Sequence, residues 1–416
     1  MEIITIGDEL ITGELLNTNA VFMANALTDR GHQVISITAT GDDEWQIQDA
    51  FLKARDRVES ILVSGGFGPS KNDRTVSSAA KALGLRLVMN KELLEALRER
   101  FLQKGLEMTP AHEKLAYLPH PSEILSNPQG IAPGIVIRHR GKLFFLLPEV
   151  PLELNQIFRE KVLPLLEKEQ GENTCFRIRT LKVFGLSEAA IADRLQEIEP
   201  KNFSASLANL PRYPENHIKI TVQGPIPGEV EANLLHMETL VREKMEDYIF
   251  AKNHETLEEI VGHLLRGHQY TLSVAESCTG GLVAHRLTQV PGSSDYFERG
   301  IVAYSNQAKM ALLGVPKSVL EKYGAVSAPV AEKMAEGVRM SSQTTLGVSI
   351  TGIAGPGGGS EGKPVGTVFI ALASPNSTVS KKYRFEGDRE QIKVASAHTA
   401  IDWIRRYCLD QLPRSK

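Results

Sequence analysis

From residue 1 to about residue 90, short apolar runs alternate with stretches of helical periodicity: IITI, residues 18–30, VISIT, residues 45–58, SILVS and residues 73–83. Strands that return after each helix pair in parallel through right-handed crossovers, so this order predicts βαβαβα and a doubly wound sheet. Ligands of such sheets lie beyond the C-terminal ends of the strands. The apolar runs at 135–137 and 143–147 are predicted to extend the sheet, and the polar EQGEN at 169–173 to lead out of it.

Beyond Cys175 the pattern changes. CFRIRTLKVFG, an amphipathic helix over 187–198, SASLANL, HIKITVQ and a helix over 229–248 describe a small α+β unit. Arg177, Arg179 and Lys182 near its start read as charges that guard an edge strand. AKNHE at 251–255 is a second polar joint, and strand and helix patterns follow again. TLSVA, GIVAYS, TLGVSIT, GTVFIALAS and STVSKKYRF read as strands, with helices at 280–287, 329–340 and 389–407. The expected architecture is α/β, two doubly wound α/β domains joined by a small α+β domain, with boundaries at 1–170, 174–250 and 255–416. A chain of 416 residues suits two or three such domains.

Composition removes several classes of function. The formal charge of −3 leaves no electrostatic excess to hold a phosphate backbone or an anionic membrane across a whole face, so neither nucleic acid nor membrane is an expected partner. The longest apolar stretches, such as 143–147, fall far short of the ~20 residues of a membrane span. The first residues form a strand-like run with no basic region or cleavage site, and Cys175, Cys278 and Cys408 stand alone without disulfide or zinc spacing. A cytoplasmic location is the expectation.

Three glycine- and hydroxyl-rich words carry the chemistry, each directly after a strand. Ala275-Glu276-Ser277-Cys278-Thr279-Gly280-Gly281 precedes a helix, whose free N–H groups and positive dipole end are expected to receive an anion or a developing oxyanion. Taken alone, Ser277 and Thr279 are equally helix caps. Tyr304-Ser305-Asn306-Gln307-Ala308-Lys309 follows the next strand, and adjacent parallel strands would bring Lys309 and Ser277 to one sheet edge. An amine could there take the serine's proton without a histidine. Such a lysine must be neutral. Lowering its pKa from ~10.4 to ~7 or 8 costs about 4 kcal/mol, so it should be buried and away from carboxylates. The third word, Thr351-Gly352-Ile353-Ala354-Gly355-Pro356-Gly357-Gly358-Gly359, is either an anion-cradling nest or a hairpin, and lacks the ending of a P-loop.

AESCTGG, AYSNQAK and TGIAGPGGG, in this order, resemble the C-terminal domain of the competence/damage-inducible protein CinA family, whose stand-alone members are nicotinamide-mononucleotide deamidases. ITIGDELITGELLNTNA at 4–20 and SGGFGPSKNDRT at 64–75 are similar to that family's molybdopterin-binding-like domain, so the resemblance spans essentially the whole chain. It implies Ser277 as nucleophile and Lys309 as base, with Tyr304 as a third participant. Substrate contacts would come from Thr279 and Gly280, whose backbone N–H groups receive the oxyanion, and from Thr351, Gly352, Gly355 and Lys393 toward the phosphate. The family commonly has arginine where Lys393 stands, and an ammonium cannot reproduce bidentate guanidinium contact. The implied partner is a small pyridine nucleotide, the deamidase needs no cofactor, and the chain is expected to pair as a homodimer.

At the N-terminal end the resemblance implies metal-dependent ADP-ribose pyrophosphatase activity, but the chain departs from the family's GGLGPTxDDxTxE. Asn72 and Ser77 stand at two of its acidic positions, and Glu149 replaces a glycine in Leu147-Pro148-Glu149-Val150-Pro151. Asn72 brings no charge to a hard divalent cation. No metal ligand set is assigned, and little or no pyrophosphatase activity is expected. Gly7, Asp8, Asn19, Gly65, Gly66 and Asp73 remain as candidate nucleotide-binding residues. A non-catalytic nucleotide-binding scaffold linked to competence is the reading from outside the enzymes. Cys278, beside the proposed nucleophile, is an alternative thiolate, but the side chains of neighbouring residues diverge and no partner histidine is evident.

Overall fold

The computed structural model describes residues 1–170, 175–196, 198 and 204–412. The predicted exit segment 169–173 and the end of the predicted helix 187–198 lie partly outside these residues. By contacts the chain divides into two compact units, one of residues 1–177 with 223–231 and one of residues 178–222 with 232–416.

The first unit holds a six-stranded sheet of β1 (Glu2–Ile6), β2 (Ser36–Thr40), β3 (Ser60–Ser64), β6 (Glu123–Leu125), β7 (Gly134–His139) and β8 (Lys142–Leu147), and a separate ribbon of β4 (Arg86–Met89) with β5 (Tyr117–His120). The order across the large sheet is β2-β1-β3-β8-β7-β6. Every residue of β1 and β3 is buried, the signature of central parallel strands covered on both faces. The helices between them start where the sequence supplies caps. Asn17 accepts the Ala20 N–H before helix Thr18–Thr28, and Asp43 accepts the Trp45 and Gln46 N–H groups before helix Glu44–Arg57. Phe51, Ile61, Val63 and Phe144 pack on one face of the sheet, and Ile3, Met23, Phe145 and Phe158 on the other. The predicted extension at 135–147 is present, but β7 and β8 pair antiparallel. Arg140 and Gly141, with φ of 50° and 74°, form the two-residue turn between them.

A four-stranded sheet, order β10-β11-β9-β12, whose residues belong to the second unit except for 175–177 and 223–224, is built from β9 (Cys175–Val183), β10 (Ser204–Arg212), β11 (Glu215–Gly224) and β12 (Ile249–Lys252). A five-stranded sheet follows, order β14-β13-β15-β16-β17, from β13 (Leu272–Glu276), β14 (Phe297–Val302), β15 (Leu346–Gly352), β16 (Thr367–Ala373) and β17 (Thr378–Arg384). Helices Leu257–His268 and Arg389–Cys408 cover one face, where Val261, Leu265, Val348, Ile370, Ile401 and Ile404 share a core. Helix Ala328–Ser342 covers the other through Val330, Met334 and Val338.

Helices therefore lie on both faces, as expected. The pairing, however, is parallel only across β14-β13-β15, while β15, β16 and β17 form an antiparallel meander. The cause is the glycine-rich stretch after β15. It contains no crossover helix and closes as a hairpin loop through mutual bonds between Ile353 and Thr367 or Gly366.

Candidate active site

β13 is the middle of the three parallel strands, so the residue that leaves its C-terminal end emerges between the ends of β14 and β15. That residue is Ser277, whose N–H donates to Ile350 O at 2.9 Å while Ala303 N–H donates to Glu276 O at 2.8 Å. The chain beyond β14 turns into helix Asn306–Leu313, begun by Ser305, whose hydroxyl accepts the Ala308 N–H, and ended by left-handed Gly314. Side chains on a helix lean toward its N-terminus. Lys309 in the first turn therefore folds back toward the residues that precede the helix.

Its Nζ lies 3.0 Å from Ser277 Oγ, 2.8 Å from Ala303 O and 3.4 Å from Tyr304 O. Only 1% of Lys309 is exposed, and burial lowers its pKa from the ordinary lysine value, with Cys278 as a smaller opposing influence. A protonated amine would donate to all three of these acceptors, and a neutral amine fits them as well. Its two N–H groups donate to the two carbonyls, and its lone pair accepts the Ser277 hydroxyl proton.

Glu276 corrects the expectation of free N–H groups at the start of the following helix. Its buried carboxyl oxygens accept the N–H groups of Gly281 at 3.0 Å, Val283 at 3.1 Å and Ala284 at 2.9 Å. The start of helix Leu282–Thr288 is thus capped by the chain's own acid, and its amides are not open to a substrate. Gly280 N–H donates to Ser277 O at 3.2 Å, which closes the turn. The Thr279 N–H meets no backbone or side-chain oxygen among the described residues, and the fully buried Thr279 hydroxyl has no partner among them.

Cys278 turns away into the apolar core with Val283, Ile350 and Ala354, and burial pushes its thiol up to about 12. It is not a thiolate at neutral pH. The divergence of neighbouring side chains read from the sequence is what the structure contains.

The remaining predicted residues sit around this pair. Lys393, on helix Arg389–Cys408, brings its Nζ to 3.9 Å from where a Cβ on Gly280 would stand, and Gly280 has φ +64°. Thr351 is buried with its hydroxyl donating to Ala325 O at 2.8 Å, so it braces the strand and is not a free donor. Gly352 is packed on β16, where a Cβ would lie 2.6 Å from Val368 Cγ2. Gly355 O accepts Arg389 Nη1 at 2.6 Å, and Arg389 Nη2 donates to the Tyr304 hydroxyl at 3.0 Å. Tyr304 itself is 61% exposed, and its hydroxyl is engaged by Arg389. Sequence reasoning missed Arg389 and the role of Glu276. Arg389 was detectable as the residue one helical turn before Lys393 on the same face.

The N-terminal candidates are only partly gathered. Asn19 and Gly65 line a cavity of about 330 Å³ with Glu9, Leu15, Leu16, Ser64 and Glu149. Asn19 Nδ2 donates to Ser64 Oγ at 3.1 Å and Glu149 O at 2.7 Å. Gly65 has φ +101° and no room for a Cβ, which would fall 2.0 Å from Ile6 O; Gly66 faces Thr75 in the same turn. Gly7, Asp8 and Asp73 are not among the lining residues. Asp8 Oδ1 accepts the Asp42 N–H at 3.0 Å, and Asp73 Oδ2 accepts the Ser70 N–H at 2.7 Å.

Desolvation of its carboxyl, followed by the nearby Asp73 and Glu9 charges, raises the Glu149 pKa. Lys114 Nζ donates to Ser70 O at 2.7 Å and to Asp73 O, which places a lysine amine on the loop that carries Asn72. Among the described residues no group of three or more His, Cys, Asp or Glu is arranged to hold a metal ion. Asn72 and Ser77 hold two positions where the family has acids, so this loop offers two fewer carboxylates than the resemblance implies.

An α/β domain with a glycine turn, a small α+β domain and an α/β domain with a buried serine-lysine pair define a three-part protein of one class. Residues 2–168 match the family described as a probable molybdopterin binding domain, 178–251 the damage-inducible protein CinA KH domain, and 254–408 the CinA C-terminal domain. A CinA-like protein of Geobacter metallireducens is 42% identical over 98% of each chain, and one of Syntrophus aciditrophicus is 40% identical over 97% of each. A crystal structure of the competence/damage inducible protein CihA from Agrobacterium tumefaciens is 40% identical, covering 35% of this chain and 90% of that one, with a TM-score of 0.35. The chain belongs to the CinA family.

Proposed function

We propose that the C-terminal domain hydrolyses the carboxamide of nicotinamide mononucleotide to nicotinic acid mononucleotide and ammonia. The observation that carries this reading is the contact between Ser277 Oγ and the buried Lys309 Nζ at 3.0 Å. A lysine held this way is a general base only when uncharged, and burial beside two carbonyls and a hydroxyl, without a paired carboxylate, supports that state.

In this mechanism Lys309 accepts the hydroxyl proton as Ser277 Oγ attacks the carboxamide carbon, giving a tetrahedral intermediate. The Thr279 N–H, which meets no oxygen among the described residues, would receive the oxyanion. Lys309 then returns its proton to the departing nitrogen, ammonia leaves, and an ester to Ser277 remains. Water, deprotonated by Lys309, adds to the ester, and collapse releases the acid and restores the serine. Lys393 and Arg389 supply the positive charge for the nucleotide phosphate from one face of the last helix, and the hairpin at Gly355 borders it.

Ammonia release from nicotinamide mononucleotide, compared with nicotinamide and glutamine, tests the assignment. Turnover of the nucleotide far above the other two is expected. Equal turnover of free nicotinamide would remove the phosphate from the account, and no release from any of the three would remove the activity.

A further inference from the structure

A second cleft in the same compact unit lies away from the serine-lysine pair. It encloses about 780 Å³, within the range of small-molecule sites, and contains none of Ser277, Thr279, Lys309, Tyr304, Arg389 or Lys393. Two walls form it. Residues 184–187, Tyr213, Pro214 and Tyr248 come from the four-stranded sheet and its connections. The other wall is the edge strand β17 with one face of the last helix, from Ala395 through Thr399 and Trp403 to Arg406. Arg389 and Lys393 occupy a different face of that helix, so one helix borders both sites.

The lining is aromatic and basic in an ordered way. Alternate side chains of a strand share a face, and Lys381, Tyr383 and Phe385 are such a set. The rings of Tyr383 and Phe385 lie 5.5 Å apart and within 6° of parallel, and Lys381 Nζ stands 5.4 Å from the Tyr383 ring centre. Trp403 Nε1 donates to the Tyr383 hydroxyl at 2.7 Å, which fixes that ring. The acid on the helix wall is already spent, because Asp402 accepts from both Arg405 and Arg406 at 2.7 and 2.6 Å. Lys381 and Arg384 are exposed and pair with no carboxylate among the described residues, leaving Glu386 as the one uncommitted acid in the lining.

We propose that this cleft is a second ligand site, which takes a planar aromatic anion of mononucleotide size: the ring lies against Tyr383 and Phe385, the anionic group meets Lys381 on the same strand face, and Arg384, on the opposite face by alternation but also lining the cleft, adds positive charge. Ring-on-ring stacking supplies affinity that depends little on ring identity, and the two cations select for charge. The site does not depend on the amidase reading, since it uses none of its residues.

The chain contains two tryptophans, Trp45 and Trp403. In full-length protein carrying Trp45→Phe, the fluorescence of Trp403 reports on the cleft, with equilibrium dialysis of AMP as an independent measure. Saturable binding of AMP is expected at or below about 1 mM, with adenosine and inorganic phosphate each at least tenfold weaker. Lys381→Ala with Arg384→Ala should weaken AMP at least tenfold while ammonia release stays unchanged; Ser277→Ala and Lys393→Ala should leave the Trp403 response intact. Absence of AMP binding by both measures, binding of adenosine as tight as AMP, or binding indifferent to the Lys381 and Arg384 pair would each overturn the proposal. Failure of ammonia release alone would leave it standing, because that bears only on Ser277 and Lys309.

Discussion

At the scale of single residues the account rests on an amine that is buried and uncharged. Ser277→Ala should lower kcat by about 10⁴-fold or more, while Cys278→Ala should retain most of it because the thiol faces the core. The reverse pattern in ammonia release would move the nucleophile to the cysteine. Because burial lowers the Lys309 pKa, the base is charged and inactive at low pH, and kcat/KM should rise with pH through a value below the ordinary lysine value of about 10.4. Lys309→Arg, which keeps its charge, should be inactive across the whole profile.

Stability changes with pH in the same direction as activity, for a different reason. Between the folded and unfolded pKa values the unfolded chain binds one more proton, so the buried amine destabilises the fold at neutral pH, and stability is recovered as pH rises through the unfolded value. Lys309→Met should therefore abolish ammonia release and raise Tm at pH 7, a gain that shrinks in alkaline buffer. The serine and lysine were legible because the family's words name them and parallel strands place both at one edge. Glu276 and Arg389 were not. A glutamate before a serine gives no sign that it will reach forward to three amides, and the contacts of Arg389 with Tyr304 and Gly355 join positions distant in sequence.

At the scale of elements, the ribbon of β4 with β5 and helix Lys91–Gln103 carried no sequence reading, while the departures in strand direction have one physical source. Strand direction is decided by the connection, and the connections between β7 and β8 and between β15 and β16 lack a helix. In the first case the Arg140-Gly141 turn is short enough to read, whereas the glycine-rich loop was open to both a nest and a hairpin. Capping of helix Leu282–Thr288 by Glu276 belongs to this scale too. Glu276→Ala leaves three buried or half-buried amides without their acceptor, and should cost about 1–3 kcal/mol in urea unfolding. A change within error would mean that water replaces the carboxyl group at no cost. Helix Ala328–Ser342 approaches Leu313 so closely at Gly337 that a Cβ would lie 1.9 Å from the Leu313 carbonyl oxygen. Gly337→Ala should lower Tm by several degrees, because backbone must move.

At the scale of the whole molecule, the two ends of the chain differ in how much chemistry they keep. The N-terminal sheet has its glycine turn and a cavity, but Asn72 and Ser77 stand where the family has acidic residues, and Lys114 binds the backbone of the loop that carries Asn72. Full-length protein carrying Ser277→Ala should therefore yield no appreciable AMP from ADP-ribose with Mg²⁺, Mn²⁺ or Co²⁺, and robust turnover would reinstate a metal centre there. No helix among the described residues is long and apolar enough to cross a membrane. The order of the parts was visible in the polar joints and changes of periodicity; the cleft beside β17 was not, since its walls come from segments roughly 170 residues apart, and chain separation hides such encounters from any local reading. The central claim concerns the bond that forms at Ser277. Intact-mass measurement after acid quench of the protein with nicotinamide mononucleotide, followed by peptide mapping, addresses it most directly. An ester on Ser277 in the native chain, absent from Ser277→Ala and Lys309→Met, is the predicted result; sustained ammonia release with an adduct on Cys278, or with equal adduct in Lys309→Met, would contradict it.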